Sequence, residues 1–203
     1  MYIPKHFQVQ DKETMFDFID TYGFAIIVSH ENNAPIATHL PLVLDRENEM
    51  LTGHFAKANR QWKGIEGQEV LVIFHGPHHY ISSSWYETNQ SVPTWNYIAV
   101  HVYGTVEIMT ERDEILASLR QLVDKYEGPG STYRIDASNE AFVQGLMDGI
   151  VAFRLKMNRI EGKWKLSQNH SRERQMRVIE ALESIDTENA KSIAKQMREN
   201  LES

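Results

Sequence analysis

Two stretches of this chain gather side chains able to do chemistry. The richer is 76–97, where Tyr80, Trp85, Tyr86, Trp95 and Tyr97 are interleaved with the hydroxyls of Ser82, Ser83, Ser84, Thr88 and Ser91. Aromatic rings offer faces for stacking, and hydroxyls with backbone N–H groups offer donors. Such a segment suits the wall of a pocket for a flat, polar, phosphorylated ring. It equally suits a long structured loop packed on the core or against a second subunit. The other stretch is Leu51 to Trp62, where a strand ends at small residues and a short helix is expected over 57–65. A helix N-terminus beside Lys57 and Arg60 makes a phosphate cradle; alternatively, the two cations face water.

A third feature is charge. Residues 150–177 carry Arg154, Lys156, Arg159, Lys163, Lys165, Arg172, Arg174 and Arg177 against Glu161 and Glu173, a net of +6 in a chain whose total is −7. A basic strip on an acidic protein fits a phosphate-bearing partner, either DNA or a cofactor, or acidic segments of the same chain or of a second subunit. For DNA the candidates are Arg154, Lys156, Arg172, Arg174 and Arg177.

Familiar signatures are missing. There is no Gly-x-Gly-x-x-Gly, P-loop, Gly-x-Ser-x-Gly or His-Glu-x-x-His. Cysteine is absent, which removes disulfides, thiol catalysis and Cys-ligated metals. Nine histidines invite a metal reading, with His75, His78 and His79 close together. Adjacent residues on an extended backbone point to opposite sides, and carboxylates are scarce nearby, so a hydrogen-bonding role is favoured and no metal is expected.

The elements that must position these groups read as follows. Apolar residues are 41 % and charged residues 24 % of 203, an ordinary globular balance. No apolar run approaches the ~20 residues of a membrane span, and the N-terminus lacks a signal-peptide pattern; a cytoplasmic location is expected. Helices are expected over 11–22, with Asp11 as cap, over 57–65, from Thr110 with a capping-box-like Asp113, over 139–147, and over 171–184 and 187–202. Strands are expected over 24–30, 36–44, 49–55, 69–75, 98–109 and 150–165. Six strands with short turns, and helices that do not alternate with them, point to an antiparallel β core dressed by helices. A closed or nearly closed barrel removes exposed strand edges. Residues 1–170 are expected as the barrel domain, with 171–203 as a helical extension packed on it.

Several segments carry a resemblance: Met1-Tyr-Ile-Pro-Lys-His-Phe, His39-Leu-Pro-Leu, Gly53-His-Phe-Ala-Lys-Ala-Asn, Tyr80-Ile-Ser-Ser-Ser-Trp-Tyr, Val92-Pro-Thr-Trp-Asn-Tyr and Gly162-Lys-Trp-Lys-Leu-Ser-Gln-Asn. In this order they resemble the PaiB family, the FMN-binding negative transcriptional regulators of bacilli. The resemblance implies an α+β fold dominated by an antiparallel split β-barrel of the pyridoxamine-phosphate-oxidase-like type, with peripheral helices. It implies a homodimer with FMN at the subunit interface, and a repressor of extracellular protease synthesis and sporulation. Carried over residue by residue, Thr38, His39, Leu40 and Pro41 run beside the isoalloxazine. His54, Lys57 and Asn59 sit near the ribityl and phosphate. Ser82, Ser84, Trp85 and Tyr86 with Thr94, Trp95 and Asn96 close the pocket, and Lys165, Ser167 and Gln168 complete it. The family pattern has proline where this chain has Arg60 and Ser83, so two rigid φ angles are lost. Two other functions stay open: a flavin-dependent oxidoreductase acting on a small molecule, in which His39 and Tyr86 are the candidate proton donors, and haem binding through histidine.

Overall fold

A computed structural model describes residues 1–88 and 90–202; Asn89, inside the expected loop, and Ser203, at the end of the expected extension, lie outside the described residues. Eight strands form one antiparallel sheet in the order β3-β2-β6-β7-β8-β5-β4, with β1 on β8. They are β1 (Gln8–Val9), β2 (Phe24–Glu31), β3 (Ala34–Pro41), β4 (Val43–Asp45), β5 (Met50–Ala56), β6 (Glu69–Ile81), β7 (Thr94–Ile108) and β8 (Ile150–Lys165). Five α-helices accompany them: α1 (Lys12–Thr21), α2 (Arg112–Glu127), α3 (Glu140–Leu146), α4 (Arg172–Glu183) and α5 (Glu188–Glu202). The chain divides into two compact units, one of residues 1–15, 75–100 and 161–203, the other of 16–74 and 101–160.

In the second unit, β2 and β3 form a hairpin registered from Phe24↔Pro41 to Glu31↔Ala34. Asn32 and Asn33 turn it at φ 50° and 64°, the left-handed pair that a tight hairpin needs and that asparagine tolerates. Alternation buries Ala25, Ile27 and Ser29 and leaves Ile26 and Val28 half-buried on the other face. β5 pairs with β8 from Met50↔Lys156 to Ala56↔Ile150. Phe55 and Phe153, with rings 5.0 Å apart, meet in a core shared with Ile27, Leu42, Leu51, Phe74 and Leu155. A Cβ on Gly53 would stand 3.2 Å from the Pro41 carbonyl, so the end of β3 comes up against β5 and the sheet curls towards closure there.

α2 buries Leu116 with Val143 and Met147, joined by Ile115, Leu119 and Ile135. Its apolar stripe continues through Leu122, Val123 and Tyr126, which with Phe24 and Pro41 line an open groove. The expected capping box at Thr110 is absent: Glu111 is the N-cap and makes no side-chain cap. Asp11 does cap α1, accepting from the Thr14 N–H at 2.9 Å.

In the first unit, β1 pairs with the end of β8, Gln8↔Lys163 and Val9↔Gly162. α4 and α5 fold back on each other over Val178, Ile179, Leu182, Ile193 and Met197, all fully buried. Arg198 grips Glu183 across them through two bonds of 2.7 and 2.8 Å. Ser171 caps α4 by accepting from Arg174 N–H.

Further expectations need correction. The single strand expected over 36–44 is broken at Leu42 into β3 and β4. No helix forms over 57–65; Asn59 caps only the single 3-10 turn Arg60–Trp62. Nor is 76–97 one long loop. β6 runs on through Gly76 and Pro77 to Ile81, β7 begins at Thr94, and among the described residues the irregular part contracts to 82–88 and 90–93 with one 3-10 turn at Ser83–Trp85.

Candidate functional site

The residues named from sequence fall into two groups. In the second unit, β3 presents Thr38 inward. Its hydroxyl donates to Gln61 Oε1 at 2.5 Å and accepts from Asn59 Nδ2 at 2.8 Å. Asn59 Oδ1 takes the Gln61 N–H at 2.9 Å. Gln61, 3 % exposed, spends its amide N–H groups on Ile27 O, Ser29 Oγ and Ile36 O. This network is saturated by its own members and ties the 3-10 turn to the β2–β3 hairpin. Gln61 went unnamed at the sequence level, because a glutamine in a polar run gives no sign of burial.

His39 is exposed on the other face, its ring stacked 6.2 Å from Phe24. Leu40 is buried, so its side chain belongs to the core, and Pro41 is half-buried. His54 is half-buried on β5, and burial holds its imidazole below the usual histidine range. Lys57 and Arg60 are exposed. With no helix following β5, the expected helix-end phosphate cradle does not exist; a three-residue turn has too few free N–H groups and too little dipole.

In the first unit, the named residues converge more closely. Lys165 Nζ donates to Thr94 Oγ1 and to Trp95 O, each at 2.6 Å. Asn96, fully buried, donates to Ser167 Oγ at 3.0 Å and to Met197 Sδ at 3.4 Å, pinning β7 to the end of β8 and to α5. Ser167 itself holds a left-handed φ of 67°. Gln168 closes the same turn on its own backbone, accepting from Leu166 N–H and donating to Trp164 O, both at 2.7 Å. Ser82 and Ser84 bond each other at 2.8 Å at the head of the 83–85 turn, and Trp85 beside them is half-buried.

Tyr86, Thr94, Lys165 and Ser167 line a cavity of about 440 Å³. Sequence reasoning did not bring His6, Phe7, His170 or Arg174 to it. Tyr86 is 8 % exposed, and its hydroxyl has no hydrogen-bond partner. Burial pushes the pKa of the Tyr86 hydroxyl up, and Ser167 and Arg174 nearby counter that. The His170 ring lies 5.1 Å from the Tyr86 ring and is held below the usual histidine range, first by burial and then by the Arg174 and Lys165 charges. Lys165 is lowered by burial and by Lys163. Glu87 brings a carboxylate to this end of the cavity, where it pairs with Arg174.

Trp95, 53 % exposed, instead faces a second hollow with His78, His79 and Tyr80. His75 and His78 meet edge to face at 4.8 Å, and among the described residues no three metal-binding side chains converge. Of the cations considered for DNA, Arg154 is held by Glu107 at 3.0 and 2.6 Å, Arg177 reaches Glu173, and Arg172 reaches the Leu201 carbonyl. Lys156 is exposed on β8.

Comparison with known proteins bears on this arrangement. Residues 1–159 match the family model described as "Putative FMN-binding domain". The "Protease synthase and sporulation protein PAI 2" of Bacillus subtilis (strain 168), the PaiB protein, is 42 % identical over 99 % of this chain and 98 % of its own length. The "Uncharacterized protein YKL070W" of Saccharomyces cerevisiae is 32 % identical over 63 % of this chain and 90 % of its own. Among solved structures, the flavocytochrome Anf3 from Azotobacter vinelandii is similar with a TM-score of 0.62 at 17 % identity, over 80 % of this chain and 72 % of that one. The FAD and heme binding protein from Mycobacterium smegmatis gives 0.61 at 16 %, over 83 % and 78 %. At such identities the likeness is one of fold, and that fold is the antiparallel split β-barrel with peripheral helices. By sequence, along almost its whole length, the chain belongs to the PaiB family.

Proposed function

We propose that this protein is a homodimeric, FMN-binding negative regulator of transcription that lowers extracellular protease production and sporulation. The family supplies the regulatory part of the reading, since its relative at 42 % identity is named for protease synthesis and sporulation. The observation that carries the flavin part is the cavity around Tyr86. It combines an orphaned buried hydroxyl, the ring faces of Phe7, Tyr86 and His170, and the cations Lys165 and Arg174. Those groups fit a flat ring bearing a phosphate. Bound there, the flavin supplies a redox-active ring. The chain's own task is to stack on it, meet its phosphate and keep water from it.

The dimer is supported by the outer face of β2 and β6, where Ile26, Val28, Leu71 and Ile73 stay half-buried and Phe24 is 63 % exposed. An apolar sheet face of this kind is normally covered. In this reading residues 1–170 form the flavin-binding domain and 171–203 its extension. The remaining carried-over residues, from His39 and His54 to Ser84 and Trp95, complete the site across the interface.

Disruption of the gene in its host tests the regulatory reading. Protease secretion rises if the protein is a negative regulator, and unchanged secretion and sporulation contradict it. A gel-shift titration across salt tests direct DNA contact through Arg154, Lys156, Arg172, Arg174 and Arg177. Retardation should weaken steeply as salt rises.

A further inference from the structure

The unit of residues 16–74 and 101–160 leaves Phe24, Tyr126, Phe142 and Leu146 more than half exposed. They make two features of opposite shape. Phe24 and Tyr126 belong to the open groove with Pro41, Leu122 and Val123, about 340 Å³ in volume, where Glu127 is the one charged lining residue among those described. Phe142 and Leu146 project from α3, one turn apart, with Cβ atoms about 5–6 Å from each other.

Both features are held in place. The other flank of α3 is buried through Val143 and Met147 against Leu116, near the start of α2. Arg112 clamps it further, donating to Gln144 O at 2.8 Å and pairing with Asp148 at 3.0 Å, and Arg120 pairs with Glu140. Anchored there, α3 cannot reach the far end of α2 and fill the groove of its own chain. The groove wall is fixed as well. Tyr126 Oη stands 2.6 Å from the place a Cβ on Gly23 would take. Lys125, tied to Asp20 at 3.3 Å, lies 5.9 Å over the Tyr126 ring.

We propose that the groove receives Phe142 and Leu146 from α3 of a second copy, reciprocally about a twofold axis. This rests on the dimer reading and deepens it by naming where the two copies lock. A chain with a projecting apolar pair and an apolar groove that it cannot fill itself is complementary to its own copy, and a twofold axis closes the pair. Anchors at i and i+4 laid into an apolar groove are a general mode of helix recognition. Phe24 belongs at once to the groove and to the outer face of β2 and β6, so the lock continues that face. Full cover of the four exposed side chains removes on the order of 500 Å² from water. The twofold repeat brings this to about 1,000 Å², the threshold of a specific interface, before the sheet face adds its share. Both parts are preformed, so docking orders little that is not ordered already.

Sedimentation velocity over a wide concentration range tests this on the wild type and on the double variant Phe142→Ser, Leu146→Ser, with circular dichroism to check its fold. The dimer dissociation constant should rise about tenfold or more, as expected for lost anchor side chains. A second readout does not depend on that variant. The chain has no cysteine, so F142C copies can be mixed with Y126C copies, allowed to exchange and treated with a short bis-maleimide. A covalent dimer is expected in the mixture and in neither variant alone. A wild-type dimer whose folded double variant associates as tightly, or whose mixture yields no covalent pair, overturns the lock and leaves the dimer reading intact. Linkage of F142C copies to one another sets α3 against α3 and likewise overturns it. A wild type that stays monomeric at every concentration overturns both.

Discussion

Gln61 shows how much one side chain holds in this protein. Its amide bridges a turn and two strands through Ile27 O, Ser29 Oγ, Ile36 O and Thr38 Oγ1. Gln61→Ala would take the amide partner from these groups, although Thr38 Oγ1 keeps its bond from Asn59 Nδ2, and each buried group left orphaned costs about 1–3 kcal/mol. The expected loss of stability is about 3 kcal/mol, read from urea unfolding midpoints; a loss below about 0.5 kcal/mol would mean water replaces the amide. Thr38 and Asn59 were legible in the sequence only as members of a motif. That they spend their polar atoms on Gln61 depends on three segments meeting, and no spacing along the chain records that. Tyr86 was legible as a pocket residue because aromatics are unusual in a loop-like segment, whereas Lys165 was legible as one only through the family resemblance. His170 was not, since a lone histidine in a polar turn gives no sign of a pocket, and Arg174 read only as one cation of the basic strip.

At the scale of elements, β2, β5 and β8 and the helices α1, α2, α4 and α5 follow directly from apolar periodicity, with ends displaced by at most one or two residues, whereas β6 runs six residues past its expected end and β7 begins four residues before its expected start. The missing helix and the longer β6 have physical causes. Gly64 and Gly67, at φ 85° and 73°, break the chain just after Trp62, so a helix over 57–65 has nowhere to run. Gly76 and Pro77 read as loop residues by local preference, yet both are buried within β6, where neighbouring strands override that preference.

Two glycines of opposite kind test this packing. A Cβ on Gly104 in β7 would meet Leu155 Cδ2 at 2.3 Å and the Lys156 carbonyl at 2.4 Å, and a carbonyl cannot step aside. Gly104→Ala is expected to cost about 3 kcal/mol, at the upper end of overpacking effects. Gly145 in α3 faces open space, so Gly145→Ala should stabilise by about 0.5–1 kcal/mol through the unfolded chain. Thermal unfolding of both variants distinguishes them by sign, and a stabilised G104A would contradict the strand packing described.

At the scale of the whole molecule, charge and titration set how the protein responds to acid. His54, His75 and His170 are all held below 6.5, burial being the first cause in each. Above that value they are neutral whether folded or unfolded. As pH falls below it, the unfolded chain binds protons first, so stability declines with falling pH. Glu87, Glu107 and Glu183 are held below 4.5 by their arginines, and their contribution is lost only at lower pH. Between about pH 5 and 6.5 the slope therefore belongs to the histidines. His54→Gln should flatten it, as urea midpoints across that window would show, and an unchanged slope would remove His54 from the account.

The account centres on an acidic chain, net −7, that gathers Lys165, Arg174 and His170 around one cavity to hold a phosphorylated ring. Equilibrium dialysis of the purified protein against FMN, followed by its visible spectrum, measures this most directly. Saturable binding of one FMN per chain, with the flavin bands shifted from those of the free cofactor, is the expected result. A protein that emerges colourless, with no more FMN inside the membrane than outside, would contradict it.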